Sequence, residues 1–232
     1  MQRFIKASPL RLLDMSVEKE LGSGNLGVLI ARAGVGKTAC LVHIALDRIF
    51  RGDPLVHVSV EEGPEKVDSY YNVIFHDLVK TLDMKNEQEL RLMMERNRMI
   101  LAYMRRSFDV TRLRASLVNL ASNLSYKPRT MILDGLDFEN TQREVFEGLK
   151  ELSREFGLET WLSALSHRHK MGLNERGIPY PCDEIDDLFE VIIHMDPTAS
   201  GVYLRLLKDH GHPVSPDAKV QLDPNTFLVI SA

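Results

Sequence analysis

Long apolar runs are missing from this 232-residue chain, and none of its segments approaches the length that crosses a bilayer. Cysteine is scarce. Cys40 and Cys182 match no metal-ligand spacing, which leaves two inert thiols and suits a reduced compartment. Charge of one sign is not in excess either: 29 Lys and Arg against 33 Asp and Glu give a net charge of −4. That balance supplies no global pull toward nucleic acid or anionic lipid, so either partner would need a local patch. Low-complexity segments and internal repeats are absent. The opening residues Met1-Gln2-Arg3-Phe4-Ile5-Lys6 lack the apolar core of a secretory signal, so a cytoplasmic protein without membrane partners is expected. What remains is 44% hydrophobic and 27% charged, ordinary for a globular protein. The length suits one α/β domain over 1–232.

Strand-like and helix-like runs alternate along the chain. That order predicts a three-layer α/β fold, with a mostly parallel central sheet and helices on both faces. Ser8-Pro9 can cap a helix running toward Leu21, before a turn at Gly22-Ser23-Gly24-Asn25. Strands are expected at Gly27–Ile30, Leu55–Val60, Met99–Met104, Thr130–Asp134 and Glu159–Leu165. Helices are expected at Ala39–Phe50, over 65–97, at Val110–Leu124 and at Thr141–Phe156. Gly52 with Pro54 and Gly157 punctuate the ends of two of them. The last portion alternates like antiparallel strands, at Phe189–His194, Val202–Leu207, Val220–Leu222 and Phe227–Ile230.

The most informative stretch is Ala31-Arg32-Ala33-Gly34-Val35-Gly36-Lys37-Thr38. It fits the phosphate-loop pattern: Ala or Gly, four free positions, then Gly-Lys-Ser/Thr. A strand before it and a helix after it are what the chemistry needs, because amides of the loop and of the helix N-terminus then converge on phosphate oxygens. Candidate nucleotide-binding residues are Ala33, Gly34, Val35, Gly36, Lys37, Thr38 and Ala39. Gly34 and Gly36 allow a tight curl, Lys37 reaches the β- and γ-phosphates, and the Thr38 hydroxyl can ligate Mg²⁺.

Two acidic signals extend this site. The apolar run Thr130-Met131-Ile132-Leu133 ends in Asp134, and a carboxylate there can orient a Mg²⁺ water beside Thr38. Asp137 is a secondary candidate for the same task. Glu61 and Glu62 end the strand after the loop's helix, at the edge where ligands of open α/β sheets bind. Hydrolysis needs a group that accepts a proton from the attacking water, and Glu61 is favoured, with Glu62 orienting it. A GTPase would carry an Asn/Thr-Lys-x-Asp segment and an ABC ATPase a Leu-Ser-Gly-Gly segment; the chain has neither.

On these residues the chain resembles the RecA-type ATPases, and within them the KaiC-like branch, over nearly its whole length. Arg51 to Glu62 is similar to that family's second core strand with its catalytic glutamate. Trp161 to His167 resembles the strand after the Mg²⁺ aspartate, and the resemblance implies a γ-phosphate sensor at Ser166 or His167. Tyr203 to Gly211 resembles the late strand whose Lys and Arg reach a neighbouring subunit's nucleotide. Lys208 matches, and His210 stands where the Arg would be. The resemblance therefore implies ATP with Mg²⁺, hydrolysis, a homo-oligomer and a catalytic Lys208 acting between subunits. His is a weaker, pH-dependent substitute for an arginine finger, which favours slow hydrolysis or a different assembly.

Two other readings stand beside an oligomeric ATPase. One is a regulatory module that binds ATP and hardly cleaves it. The other is a DNA-dependent recombinase or translocase. Its support would be the arginine-rich stretch from Arg91 to Arg114 and a loop from His167 to Cys182 carrying Arg168, Lys170 and Arg176. The net charge and a single loop aromatic, Tyr180, weigh against nucleic acid. His167 and His169 lack a carboxylate or thiol companion, which argues against a metal there.

Overall fold

The computed structural model describes residues 1–167, 172–199 and 201–230. Its elements in chain order are α1 (Gln2–Ala7), β1 (Leu26–Ala31), α2 (Lys37–Phe50), β2 (Leu55–Ser59), α3 (Pro64–Thr81), α4 (Glu87–Arg96), β3 (Arg98–Ala102), α5 (Val110–Asn123), β4 (Thr130–Asp134), α6 (Arg143–Phe156), β5 (Glu159–Leu165), β6 (Val191–Thr198), β7 (Gly201–Asp209) and β8 (Lys219–Leu222). The strands form one sheet in the order β3-β2-β4-β5-β1-β6-β7-β8. From β3 to β6 every pairing is parallel. β7 and β8 join antiparallel.

Layering follows from side-chain alternation. All six residues of β1 are buried, as expected of a parallel strand covered on both faces. Leu29 and Ala31 join the core under α2, α3 and α4, together with Trp161. Leu26, Val28 and Ile30 join the opposite core against α5 and α6, together with Leu162 and Ala164. Gly27 leaves the room that Trp161 takes, for a Cβ there would lie 2.7 Å from the indole ring. α5 begins on Asp109, whose carboxylate accepts from the amides of Thr111 and Arg112, and α6 ends on Gly157 at φ 64°. Cys40 and Cys182 are buried and unbridged, and burial pushes the Cys40 thiol up to about 12. Among the described residues no helix is long and apolar enough to cross a membrane.

Four local expectations are corrected. The helix expected from Ser8 toward Leu21 is a 3-10 helix over Pro9–Met15, capped by the Ser8 hydroxyl, and α1 precedes it. Beyond it the chain is held to β7, because the Val17 amide donates to the Asp209 carboxylate at 2.8 Å. The single helical run over 65–97 is two helices, parted by a turn in which Asp83 takes φ 47°. The Phe189–His194 strand, Val191–Thr198 in the structure, is antiparallel only toward β7. Toward β1 it runs parallel. Phe227–Ile230 makes one bridge, Leu222 with Val229, and no strand. The Asp223 carboxylate accepts from the amides of Asn225 and Thr226, which turns the chain instead.

Candidate functional site

The parallel strands end together, so the segments leaving β1, β2, β4 and β5 meet at one edge of the sheet. There they enclose a cavity of about 470 Å³. The loop after β1 supplies Gly34 and Gly36, and the first turn of α2 supplies Lys37 and Thr38. Gly36 caps α2 at φ 103°, a conformation that disfavours any side chain. A Cβ there would also strike the Phe227 ring. The first amides of α2 have no acceptor within the helix and form its positive end.

Asp134, at the end of β4, is the hub of the polar groups. Its Oδ2 accepts from the Thr38 hydroxyl at 2.7 Å, and its Oδ1 accepts from the Ser163 hydroxyl on β5. Lys37 Nζ donates to the Arg32 carbonyl at 3.4 Å. Burial lowers the Lys37 pKa, while the charges of Asp134 and Glu61 oppose that shift. The ammonium is thus partly stripped of water, and the one hydrogen bond it makes among the described residues is the long one to Arg32.

Glu61 leaves β2 toward the same cavity, and Gly135 makes room for it. At φ 84°, a Cβ on Gly135 would stand 2.8 Å from the Glu61 Cβ. Glu61 Oε1 accepts from Arg105 Nη2 at 2.7 Å, and Arg105 also lines the cavity. Glu62 is exposed and outside the lining; its amide donates to the Ser59 hydroxyl at 3.0 Å. His57, one layer below on β2, bonds the Tyr71 hydroxyl through Nδ1 at 3.0 Å. Burial pushes it down to about 4, so it is neutral at pH 7.

Of the residues singled out by sequence, Gly34, Gly36, Lys37, Thr38, Glu61, Asp134, Asp137 and His167 line one cavity. Asp137 also accepts from Asn140 Nδ2 at 2.9 Å. Ala33, Val35 and Ala39 belong to the loop and its helix without lining the cavity, and Val35 packs on the core. His167 Nε2 lies 3.6 Å from Glu139 Oε1. Ser166 is half-buried, its amide donates to the Ala31 carbonyl at 2.9 Å, and it does not line the cavity. Sequence reasoning missed Ser163, a hydroxyl inside a buried run of β5, and did not separate Arg105 from its arginine neighbours.

Lys208 and His210 sit elsewhere, in a groove shared with Arg176, Asp186 and Glu190. Lys208 Nζ donates to the Asp186 carbonyl at 2.7 Å. His210 bonds the Asp209 carboxylate at 2.9 Å and the Leu21 carbonyl at 3.0 Å. The arginine stretch disperses. Arg91 pairs with Glu87, Arg98 with Asp68 beneath the Tyr71 ring, and Arg114 with Glu155, while Arg112 donates to the Ser107 carbonyl. Arg168, His169, Lys170 and the Arg106 side chain lie outside the described residues.

The donor set also bears on which metal fits. Among the described residues no group of three or more His, Cys, Asp or Glu could hold an ion alone. A hydroxyl and one carboxylate, Thr38 and Asp134, suit a hard cation that takes its other ligands from phosphates and water, as Mg²⁺ does. Neither a family model nor a curated protein matches the chain, so its function is argued from this geometry.

Proposed function

We propose that the chain is an ATPase of the RecA type, most similar to the KaiC-like branch, that binds ATP with Mg²⁺ and cleaves it to ADP and phosphate. One observation carries the reading: Lys37 and Thr38 from α2, Asp134 from the end of β4 and Glu61 from the segment after β2 line one cavity at the C-terminal edge of parallel strands. Lys37 and the loop amides bind phosphate oxygens. Thr38 and Asp134 hold the cation, which neutralises phosphate charge when bound. Glu61 accepts a proton from the attacking water as the new O–P bond forms and the bond from the γ-phosphorus to the β-phosphate oxygen breaks. The adenine preference rests on the family resemblance, as does a homo-oligomer.

A second reading, an ATP-bound regulatory module with little turnover, is favoured by the anchoring of Lys208 and His210 to their own chain. Neither is free to act on a neighbour's nucleotide without breaking those bonds. Dispersal of the arginines into internal contacts weighs against the DNA-dependent reading. Sizing the protein with and without ATP·Mg²⁺, while following phosphate release, separates these readings. The ATPase reading expects nucleotide-dependent release well above background. Tight binding without release supports the module, and no binding rejects both.

A further inference from the structure

We propose that Arg105 is the cation that this site supplies for the terminal phosphate: paired with Glu61 in this structure, it moves to the γ-phosphate when a nucleoside triphosphate binds. The inference rests on the reading of the cavity as a triphosphate site and names a residue of that site which the phosphate-loop pattern does not contain.

Arg105 opens the 3-10 turn Arg105–Ser107 that follows β3, the edge strand beyond β2. Hydrogen bonds and a ring contact tie the backbone on either side of it. The Tyr103 amide donates to the Ser59 carbonyl at 2.8 Å, and the Phe108 amide donates to the Met104 carbonyl at 3.2 Å. Phe108 meets the Tyr103 ring edge-on at 5.7 Å. Arg112 grips the Ser107 carbonyl from the next helix. The Arg105 side chain is 57% exposed, and among the described residues its one ion pair is with Glu61, itself 55% exposed.

An exposed pair of this kind contributes little to stability, so breaking it costs little. A triphosphate carries several negative charges where Glu61 carries one, and a guanidinium matches phosphate oxygens with two parallel donors. Binding therefore offers Arg105 a stronger partner than the one it leaves. Glu61 gains by the same move. Relieved of Arg105, its carboxylate can accept from a water at the cavity wall. Arg98, Arg112 and Arg114 do not take this part, because they already hold groups outside the cavity. Nor do Lys208 and His210 line it.

Arg105→Gln is the test, with Arg105→Lys beside it. The readouts are affinities for a non-hydrolysable ATP analogue and for ADP by calorimetry, and phosphate release at saturating ATP. Loss of a charge-assisted contact made only to the γ-phosphate should weaken the analogue about tenfold and leave ADP within about twofold. Turnover should fall by about tenfold or more, with the Lys variant between Gln and wild type. Unchanged melting temperatures are expected, given the exposure of the side chain. An unchanged ratio of analogue to ADP affinity, or faster turnover in Arg105→Gln, overturns the proposal while the triphosphate site stands. Failure of the wild type to bind either nucleotide removes the site reading itself, and this inference with it.

Discussion

Two concave regions of the molecule hold similar charges and use them in opposite ways. At the strand ends, Lys37 donates to the Arg32 carbonyl at 3.4 Å and Arg105 to the exposed Glu61 carboxylate, contacts that are easily exchanged. Under β7, the cations are committed. Arg176 reaches the buried Asp186, Lys150 reaches Glu190 and the Leu188 carbonyl, and Lys208 reaches the Asp186 carbonyl. His210 and Asp209 tie β7 to Leu21 and Val17 near the N-terminus. Residue type alone does not tell a binding cation from a clasp; the burial of its partner does, for Asp186 is buried and Glu61 is exposed. Substitutions at the first region should therefore change function with little effect on stability, and those at the second should do the reverse.

The largest effect is expected at Lys37. Its ammonium is partly desolvated and has no firm acceptor among the described residues, so Lys37→Ala removes the group proposed to bind the phosphates. Detectable ATP binding and phosphate release should vanish while thermal melting stays close to wild type. Full turnover in this variant would end the assignment of the cavity.

Next comes Glu61. Glu61→Gln preserves shape and removes the proton acceptor, so turnover should fall by about 10²–10⁴-fold with ATP still bound. Glu62→Gln, altering an exposed side chain outside the cavity, should stay within about twofold of wild type. Equal losses in both variants, measured by single-turnover phosphate release, would mean that the chain edge and not one carboxylate carries the chemistry.

These two carboxylates also mark how far the sequence could be read. The parallel core was legible because its strands are short apolar runs set off by glycine and proline, and β4 and β5 have the bounds their residues suggested. The loop residues Gly34, Gly36, Lys37 and Thr38 were legible because they are contiguous. Ser163 was not, since a serine within Trp161-Leu162-Ser163-Ala164 carries no periodic signal. Only the pairing of β4 with β5 brings it to Asp134. Arg105 was hidden for a related reason. Seven arginines between 91 and 114 look alike in composition, and partners on α3, α4 and α6 draw Arg98, Arg91 and Arg114 away from the cavity that Arg105 lines. The N-terminal segment went astray because its course is set by a long-range bond, Val17 to Asp209, that no local propensity encodes. The Phe227 turn went astray because the Asp223 side chain competes for the amides a strand would have paired.

A smaller effect is expected under β7. Lys208→Ala removes the donor to the Asp186 carbonyl and leaves that buried corner short of one hydrogen bond. Such a loss costs about 1–3 kcal/mol, seen as a lower denaturation midpoint, with turnover per site unchanged. A fall in turnover that deepens as protein concentration rises would instead mean that Lys208 leaves Asp186 and serves a neighbour's nucleotide.

The smallest effect is a pH dependence at His210. Burial alone would lower its pKa, but the hydrogen bonds to Asp209 and to the Leu21 carbonyl, with the charges of Asp209 and Glu190, outweigh that and raise it. A histidine whose folded pKa lies above its unfolded value of about 6.5 adds stability that is complete below that value. The contribution is lost as pH rises through the folded pKa. His210→Gln cannot carry the charge. Its melting temperature should therefore fall below that of wild type by about 2–4 °C at pH 6, and the gap should narrow steadily toward pH 8.5. A gap of constant size across that range would mean that the imidazole acts through shape and neutral hydrogen bonds. Charge would then play no part in holding β7 to the N-terminal segment, and the contrast between the two regions would rest on Lys150, Lys208 and Arg176.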